Sequence, residues 1–519
     1  MARRLTSNGT MAHLVWLKRD LRIDDHEALA TAAARGTCVV LYVYEPDYYA
    51  MPEFDPSHHT FIDASLAELE RALAARGARL TYRYGAMPDV LEALHREIAI
   101  ESISSHEETG NAITAARDNR VRAWASARGI PWFEYAQTGV VRALQTRDGW
   151  AKRWEARMLR PIAEVPPRVV TTDIAHESRR TCADLGIADR RKPEALLGGS
   201  AAAHALLASF LAERGVDYRR GMSSPVSGAV VCSRMSPYLA YGAISLKRVY
   251  TETLARERDL RARKADGEAI DGRWLGSLKS FSGRLHWHCH FMQKLEDEPA
   301  LEFMNQARSY DGLREDDFNA DRFAAWQTGT TGYPMIDACM RSLHRGGWVN
   351  FRMRAMLMSF ASYHLWLHWR PTAVYLGSQF LDFEAGIHYP QAQMQSGTTG
   401  INTLRIYSPT KQALDWDPTG DFIRRYVPEL ACVPAPFISE PHLLPPILAA
   451  SVGFRIGIDY PLPIVDHKAA VAFAKDRIYG VRRGAEARSE AKAVYVKHGS
   501  RKPTPRRESA ARPTAPRSE

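Results

Sequence analysis

Cysteine is sparse and scattered. The six residues (Cys38, Cys182, Cys232, Cys289, Cys339 and Cys432) never fall at Cys-x-x-Cys spacing. That excludes a disulfide framework and a four-cysteine metal or iron–sulfur site, and it points to a reducing compartment, the cytoplasm. No apolar run reaches about 18 residues, so no membrane span is expected. The segment from Met1 to Met11 carries Arg3 and Arg4 without an apolar core behind them, which does not read as a secretory leader. Met11-Ala12-His13 offers a second plausible start. A tandem repeat is absent, and no Gly-x-Gly-x-x-Gly follows the first apolar strand, which removes the usual dinucleotide fingerprint.

What is present suits a well-cored protein of two or three domains. The chain has 519 residues, 45% of them hydrophobic, 10% aromatic and 25% charged, with a formal net charge of +10. Much of that excess sits at the end: from Val481 onward eleven Lys/Arg face four Glu in a stretch rich in Pro, Ala and Ser. Such a segment, 481–519, buries too little to fold alone and is expected to be a disordered basic tail. It suits non-specific nucleic-acid contact through counterion release, or it is simply solubilising.

Hydrophobic periodicity divides the rest. Residues 11–140 alternate β-rich runs (His13–Leu17, Cys38–Tyr44, Leu80–Tyr84, Ile103–Ser105, Trp132–Tyr135) with helical stretches at His26–Arg35, Thr60–Arg76 and Asp89–Ile98. That rhythm predicts a doubly wound parallel sheet covered on both faces, Rossmann-like in outline. Residues 141–200 are Pro-broken and polar and read as an inter-domain connection. From 201 to 480 the period is 3.6 almost throughout, which predicts an all-helical domain. The fold class is therefore α/β plus all-α.

Three stretches of the helical half carry chemistry. In Cys232-Ser-Arg-Met-Ser-Pro-Tyr, Ser236 before Pro237 reads as a helix cap. Ser233, Arg234 and Ser236 then gather free backbone N–H groups and a guanidinium, a cradle for a pyrophosphate or an ordinary capped helix. Trp326-Gln-Thr-Gly-Thr-Thr-Gly-Tyr-Pro-Met-Ile-Asp-Ala-Cys-Met-Arg341 contains a turn that starts a helix. Farther on, Arg352 and Arg354 enter an apolar helix, where each needs an anionic partner. Asp382, Glu384 and His388 lie in a Gly/Pro-broken segment that suits a polar pocket floor.

These stretches, with His13-Leu-Val-Trp-Leu-Lys-Arg-Asp-Leu-Arg-Ile-Asp-Asp-His26 and Gly420-Asp-Phe-Ile-Arg-Arg-Tyr-Val-Pro-Glu-Leu430, resemble the photolyase/cryptochrome family of light-activated flavoproteins. The likeness spans residues 13–440. It implies an α/β domain, a long connection and a helical domain holding a bent FAD. It places Tyr218, Ser233, Arg234, Met235 and Ser236 around the flavin phosphates and ribityl chain, with Cys232 where Thr is usual. Arg354 and Asp382 match the pair beside the isoalloxazine ring, Glu384 falls where a second Asp is common, and Phe351 stands at a position often Asn. The implied reaction is light-driven electron transfer from reduced flavin to a pyrimidine dimer flipped out of DNA, by a monomer. The implied alternative is a cryptochrome-like photoreceptor without repair.

The chain departs from that pattern at several positions. His388 falls opposite flavin N5, where it could titrate near neutrality and gate flavin protonation, or stay neutral in a hydrogen bond. Ala392 replaces the flavin-proximal tryptophan of the usual photoreduction chain, Trp369 matches its middle member, and no tryptophan lies near Asp316–Phe318 for the outer one. Tyr363, Trp366, Tyr389, Tyr407 and Trp416 are substitute relays or plain core. Met394 replaces a dimer-packing tryptophan, and Trp287 matches the other one. Arg284, on the same helix face as Trp287 and Phe291, stands where a lesion-binding Glu is usual. His286 and His290 share a helix face without a third ligand, so no metal is expected. An antenna chromophore, deazaflavin or folate, is not readable, although His106–Gly110 lies at the depth of a site wall.

Overall fold

The computed structural model describes residues 11–499. Five strands form one parallel sheet: β1 (Met11–Leu17), β2 (Cys38–Tyr44), β3 (Leu80–Tyr84), β4 (Ala99–His106) and β5 (Trp132–Tyr135), in the order β3-β2-β1-β4-β5. Val15 of β1 pairs with Val40 on one side and Ser104 on the other. The central strands are near-continuous apolar runs because helices cover both faces. Among helices of eight residues or more, α1 (Glu27–Arg35), α2 (Pro56–Ala74), α3 (Met87–Glu97) and α4 (Ala112–Ala127) supply that cover.

Boundaries moved where side chains cap the ends. His26 stands outside α1, its Nδ1 accepting the Leu29 N–H at 3.0 Å. Asp55 accepts from Ser57 and Pro56 fills the first turn, so α2 begins four residues before the periodicity predicts. Helix α4 has only a weak apolar stripe, yet Asn111 caps it and Val121 and Trp124 anchor it. The connection is mostly irregular but contains α5 (Trp150–Met158), with Trp150 and Trp154 in the core.

Strand order reverses between β1 and β4, and ligands of doubly wound sheets bind outside the carboxyl ends at that point. Here side chains fill it. Lys18 meets Asp118 at 3.0 Å, and Arg117 meets Glu45 at 3.0 Å and Glu108 at 2.6 Å. Asp20 accepts from His106 at 2.7 Å. Two cavities of about 40 Å³ each remain. Tyr48, Arg19 and their neighbours would have to move for a second chromophore to enter this crevice.

The helical part comprises α6 (Ser200–Ala212), α7 (Leu246–Ala265), α8 (Arg273–Asp297), α9 (Ala320–Thr328), α10 (Pro334–Gly346), α11 (Phe351–Ser359), α12 (Trp369–Gln379), α13 (Ala385–Ser396), α14 (Pro409–Trp416), α15 (His467–Arg483) and α16 (Ala485–His498). The long α8 packs along α13, and α11 also lies against α13. The Thr-Thr-Gly-Tyr-Pro motif has a structural cause. Asp337, one turn into α10, accepts the backbone N–H groups of Thr331 and Gly332. Gly332 is left-handed at φ +76°, and a Cβ there would lie 2.3 Å from the Leu462 carbonyl oxygen.

The expectation of disorder from residue 481 does not hold for its first part. Residues 481–483 finish α15, and α16 folds back on the domain. Glu490 accepts the Ser309 N–H at 2.9 Å, and His498 meets Glu298 at 2.7 Å. Ala487 and Val494 supply the small apolar stripe that the Lys/Arg excess concealed. The remainder of the tail, like residues 1–10, lies outside the described residues.

Candidate functional site

One cavity of about 470 Å³ opens into the helical domain. Its wall is built from the 232–236 turn, α11, the 380–384 segment, α13, and Arg405 with Tyr407. All the residues singled out around a flavin line it: Tyr218, Cys232, Ser233, Arg234, Met235, Ser236, Phe351, Arg354, Asp382, Glu384 and His388.

Arg354 grips Asp382 with both arms, Nη1–Oδ1 at 3.0 Å and Nη2–Oδ2 at 2.8 Å. Its Nε donates to the Val349 carbonyl at 2.8 Å, and Phe380 packs 4.1 Å from the guanidinium carbon. The Asp382 side chain is 2% exposed. Burial alone would raise its carboxyl, but Arg354, aided by the Ser236 hydroxyl, holds it below the ordinary carboxylate range. Ser236 is thus the first residue of the short helix 236–240 rather than its cap; Met235 occupies the cap position. The reversal at left-handed Arg234 (φ +60°) precedes that helix, and the Ser236 hydroxyl serves Asp382 instead.

Arg234 lies 4.1 Å over Trp348, and its Nε is buried without a protein acceptor. The Nε of Arg352 is also unpartnered, with the guanidinium 4.9 Å over Trp416. Burial pushes the Cys232 thiol up to about 11, so it faces the cavity uncharged. Unmet guanidinium donors beside neutral Cys232 and Ser233 suit a pyrophosphate. Arg284 is exposed at the cavity edge, 5.1 Å over Phe351.

His388 shares a hydrogen bond of 2.7 Å between its Nε2 and the Ala373 carbonyl oxygen, which makes Nε2 the donor. Burial pushes this imidazole down to about 4, which favours the neutral, hydrogen-bonded ring, with Nδ1 an acceptor, over titration near neutrality. Glu384 has a partner that sequence reasoning missed, His288 on α8, at 2.9 Å. Burial opposes the imidazolium there, but the Glu384 charge and hydrogen bond, together with the neighbouring Cys289, outweigh it and raise His288 to about 10. The His-rich run on α8 therefore disperses: His290 accepts from Arg147 at 3.1 Å and His286 packs on Trp150 and Trp154.

Three expected residues do not line the cavity. Trp287 is half-buried against His290 and Phe291, Met394 lies on another side of α13, and Trp369 is in the core with its Nε1 donating to Asn305 at 2.7 Å. Of the substitute relays, Tyr407 lines the cavity and Tyr389 packs on Trp369, 6.3 Å between ring centres, with its phenol donating to Glu53. Gln391 and Gln395 were also missed, although His388, Gln391, Ala392 and Gln395 repeat at i, i+3, i+4 and i+7.

Residues 13–166 match the family model described as DNA photolyase, and residues 281–479 match the FAD binding domain of DNA photolyase. The deoxyribodipyrimidine photo-lyase of Streptomyces griseus is 30% identical over 480 residues, 87% of this chain and 96% of its own length. The chain belongs to the photolyase/cryptochrome family. Cryptochrome DASH of Gloeobacter violaceus is 27% identical over 498 residues, covering 91% of this chain and 96% of that one. In fold, a bacterial class III photolyase from Agrobacterium tumefaciens superposes with a TM-score of 0.80 at 24% identity, covering 93% of this chain and all of that one. The helical domain of this family member is an FAD-binding domain of the photolyase type, and the donor set around the 470 Å³ cavity fits that cofactor. No helix among the described residues is long and apolar enough to cross a membrane.

Proposed function

We propose that this protein repairs UV-induced pyrimidine dimers in DNA by a light-driven, FAD-dependent reaction, acting as a monomer. FAD, reduced and bound, supplies the photochemistry: an excited electron passed to the dimer and returned after the dimer splits. The chain supplies position and field. Arg234, Ser233 and Tyr218 would hold the pyrophosphate and its surroundings. The Arg354–Asp382 pair fixes the polar edge of the cavity, while Met358, Leu376 and Phe383 exclude water. His388 presents an acceptor nitrogen, and Glu384 is held by His288 at the floor.

The observation that carries the reading is an imbalance of charge around the cavity. Asp382 and Glu384 are both matched, by Arg354 and His288, while Arg234, Arg284, Arg352 and Arg405 also line the wall. Those four cations exceed what one pyrophosphate needs and suit the phosphates of a strand that delivers a flipped base. A photoreceptor without repair is favoured by one feature: Trp287 and Met394 do not line the cavity. Reduced holoprotein mixed with DNA bearing cyclobutane or (6-4) dimers separates the two readings. Repair predicts loss of one lesion under blue light and none in the dark; both lesions left intact under light would refute it.

A further inference from the structure

Arg314 lies in the turn before α9 with 2% of its surface exposed. Its guanidinium carbon is 4.4 Å from the centre of the Trp366 ring and 5.6 Å from that of Tyr363. A buried guanidinium ordinarily meets a carboxylate, and here each nearby acid is engaged elsewhere. Glu315 accepts the Arg314 backbone N–H at 2.9 Å and faces His368 at 3.7 Å. Asp311 accepts from Asn305 at 2.7 Å, and Asp317 faces Arg477 at 3.9 Å. From α15 comes a further cation, Arg482, which donates to the Tyr310 hydroxyl at 3.2 Å and the Asn402 carbonyl at 2.7 Å.

Four polar atoms around this guanidinium are buried without a protein partner: Arg314 Nε and Nη2, Trp366 Nε1 and the Tyr363 hydroxyl. Three are obligate donors and the fourth can donate. A water molecule needs acceptors for its own hydrogens, and among these four atoms only the hydroxyl offers one. An anion seated among these groups would accept from such donors and balance the charge of Arg314. Trp366 adopts a left-handed backbone (φ +56°) at the end of the π-turn 360–364, which directs its indole here.

We propose that Arg314, Trp366 and Tyr363 form a buried binding site for a small inorganic anion of chloride size. The small size follows from access, since Tyr363 and Trp366 are 1% and 5% exposed. The site also touches the known cavity at one remove. The Tyr363 hydroxyl lies 2.6 Å from where a Cβ at Gly397 would stand, and Gly397 caps α13, whose other side carries His388 and Gln395. A bound anion would brace that end of α13.

Crystals of the holoprotein grown in bromide test the site directly. An anomalous peak within hydrogen-bond reach of Arg314 Nη2 and Trp366 Nε1 is expected; density there without anomalous signal, or no density, overturns the proposal. In solution, chloride replacing glutamate at constant ionic strength should raise Tm saturably. Trp366→Phe keeps the ring and removes the donor, so it should weaken that response, and Arg314→Leu should abolish it. If Arg314→Leu fails to fold, Trp366→Phe and Tyr363→Phe decide alone: a chloride response equal to the parent's in both overturns the proposal.

Discussion

Replacing Arg354 by Leu would leave the Asp382 carboxylate, 2% exposed, with only the Ser236 hydroxyl as a side-chain partner. Breaking a buried ion pair from one side costs roughly 3–5 kcal/mol. The Arg354 side chain is 27% exposed, so solvent screens part of the pair and the lower end applies, about 3 kcal/mol. For a helical domain of this size, with an unfolding entropy of about 0.6 kcal/mol/K, that is a fall in Tm of roughly 5 °C. Differential scanning calorimetry at pH 7 measures it. The pH dependence has a definite sign. Asp382 has a depressed folded pKa, so its contribution is present above the unfolded value near 3.9 and is lost as pH falls through the folded value. The gap between parent and Arg354→Leu should therefore narrow below about pH 4. Removing both partners, as Arg354→Leu with Asp382→Leu, should recover part of the loss, because no orphaned charge remains. If Arg354→Leu leaves Tm unchanged, or if the double variant falls by the sum of the singles, the buried-pair reasoning is wrong.

Three other outcomes follow from the site. In Glu384→Gln the buried His288 loses the charge that holds its proton, and its imidazole, protonated at pH 8 in the parent, should be neutral at pH 7; NMR showing it still protonated there contradicts the assignment. His388, with a folded value near 4 against 6.5 unfolded, takes up its proton only on unfolding. Stability should thus fall as pH drops from 7 to 5, by about 2 kcal/mol for this group, and His388→Asn should remove that share; an imidazole titrating near 6.5 in the folded protein would refute it. Arg284→Ala should weaken lesion binding and lower the salt dependence of log K by about 1, as expected for one phosphate contact. An unchanged slope would detach Arg284 from DNA.

The sequence conveyed local chemistry better than it conveyed direction. All five strands were legible as β-rich runs, although β4 begins at Ala99 rather than Ile103, and the Arg354–Asp382 pair was legible from the family resemblance, since a charge entering an apolar helix calls for a partner without naming it. The cavity residues of the 232–236 turn were legible from the family motif. Whether Trp287 and Met394 face the cavity was not legible, because spacing along α8 and α13 gives a face but not the rotation of that face against its neighbours. Glu384 with His288 was missed because the partners lie 96 residues apart, and the His-rich run was weighed only for a metal, which it did not support, and not for a counter-charge. Helix α16 was hidden by composition: eleven cations in the last segment outweigh the few apolar residues that dock it.

The most direct test of the account is the flavin content of the full-length chain. After dialysis against excess FAD and removal of the free cofactor, the protein should retain one FAD per chain with its visible absorption, and Arg354→Leu with Asp382→Leu should retain much less. A parent protein that stays colourless, or a double variant that binds FAD as tightly as the parent, would contradict it.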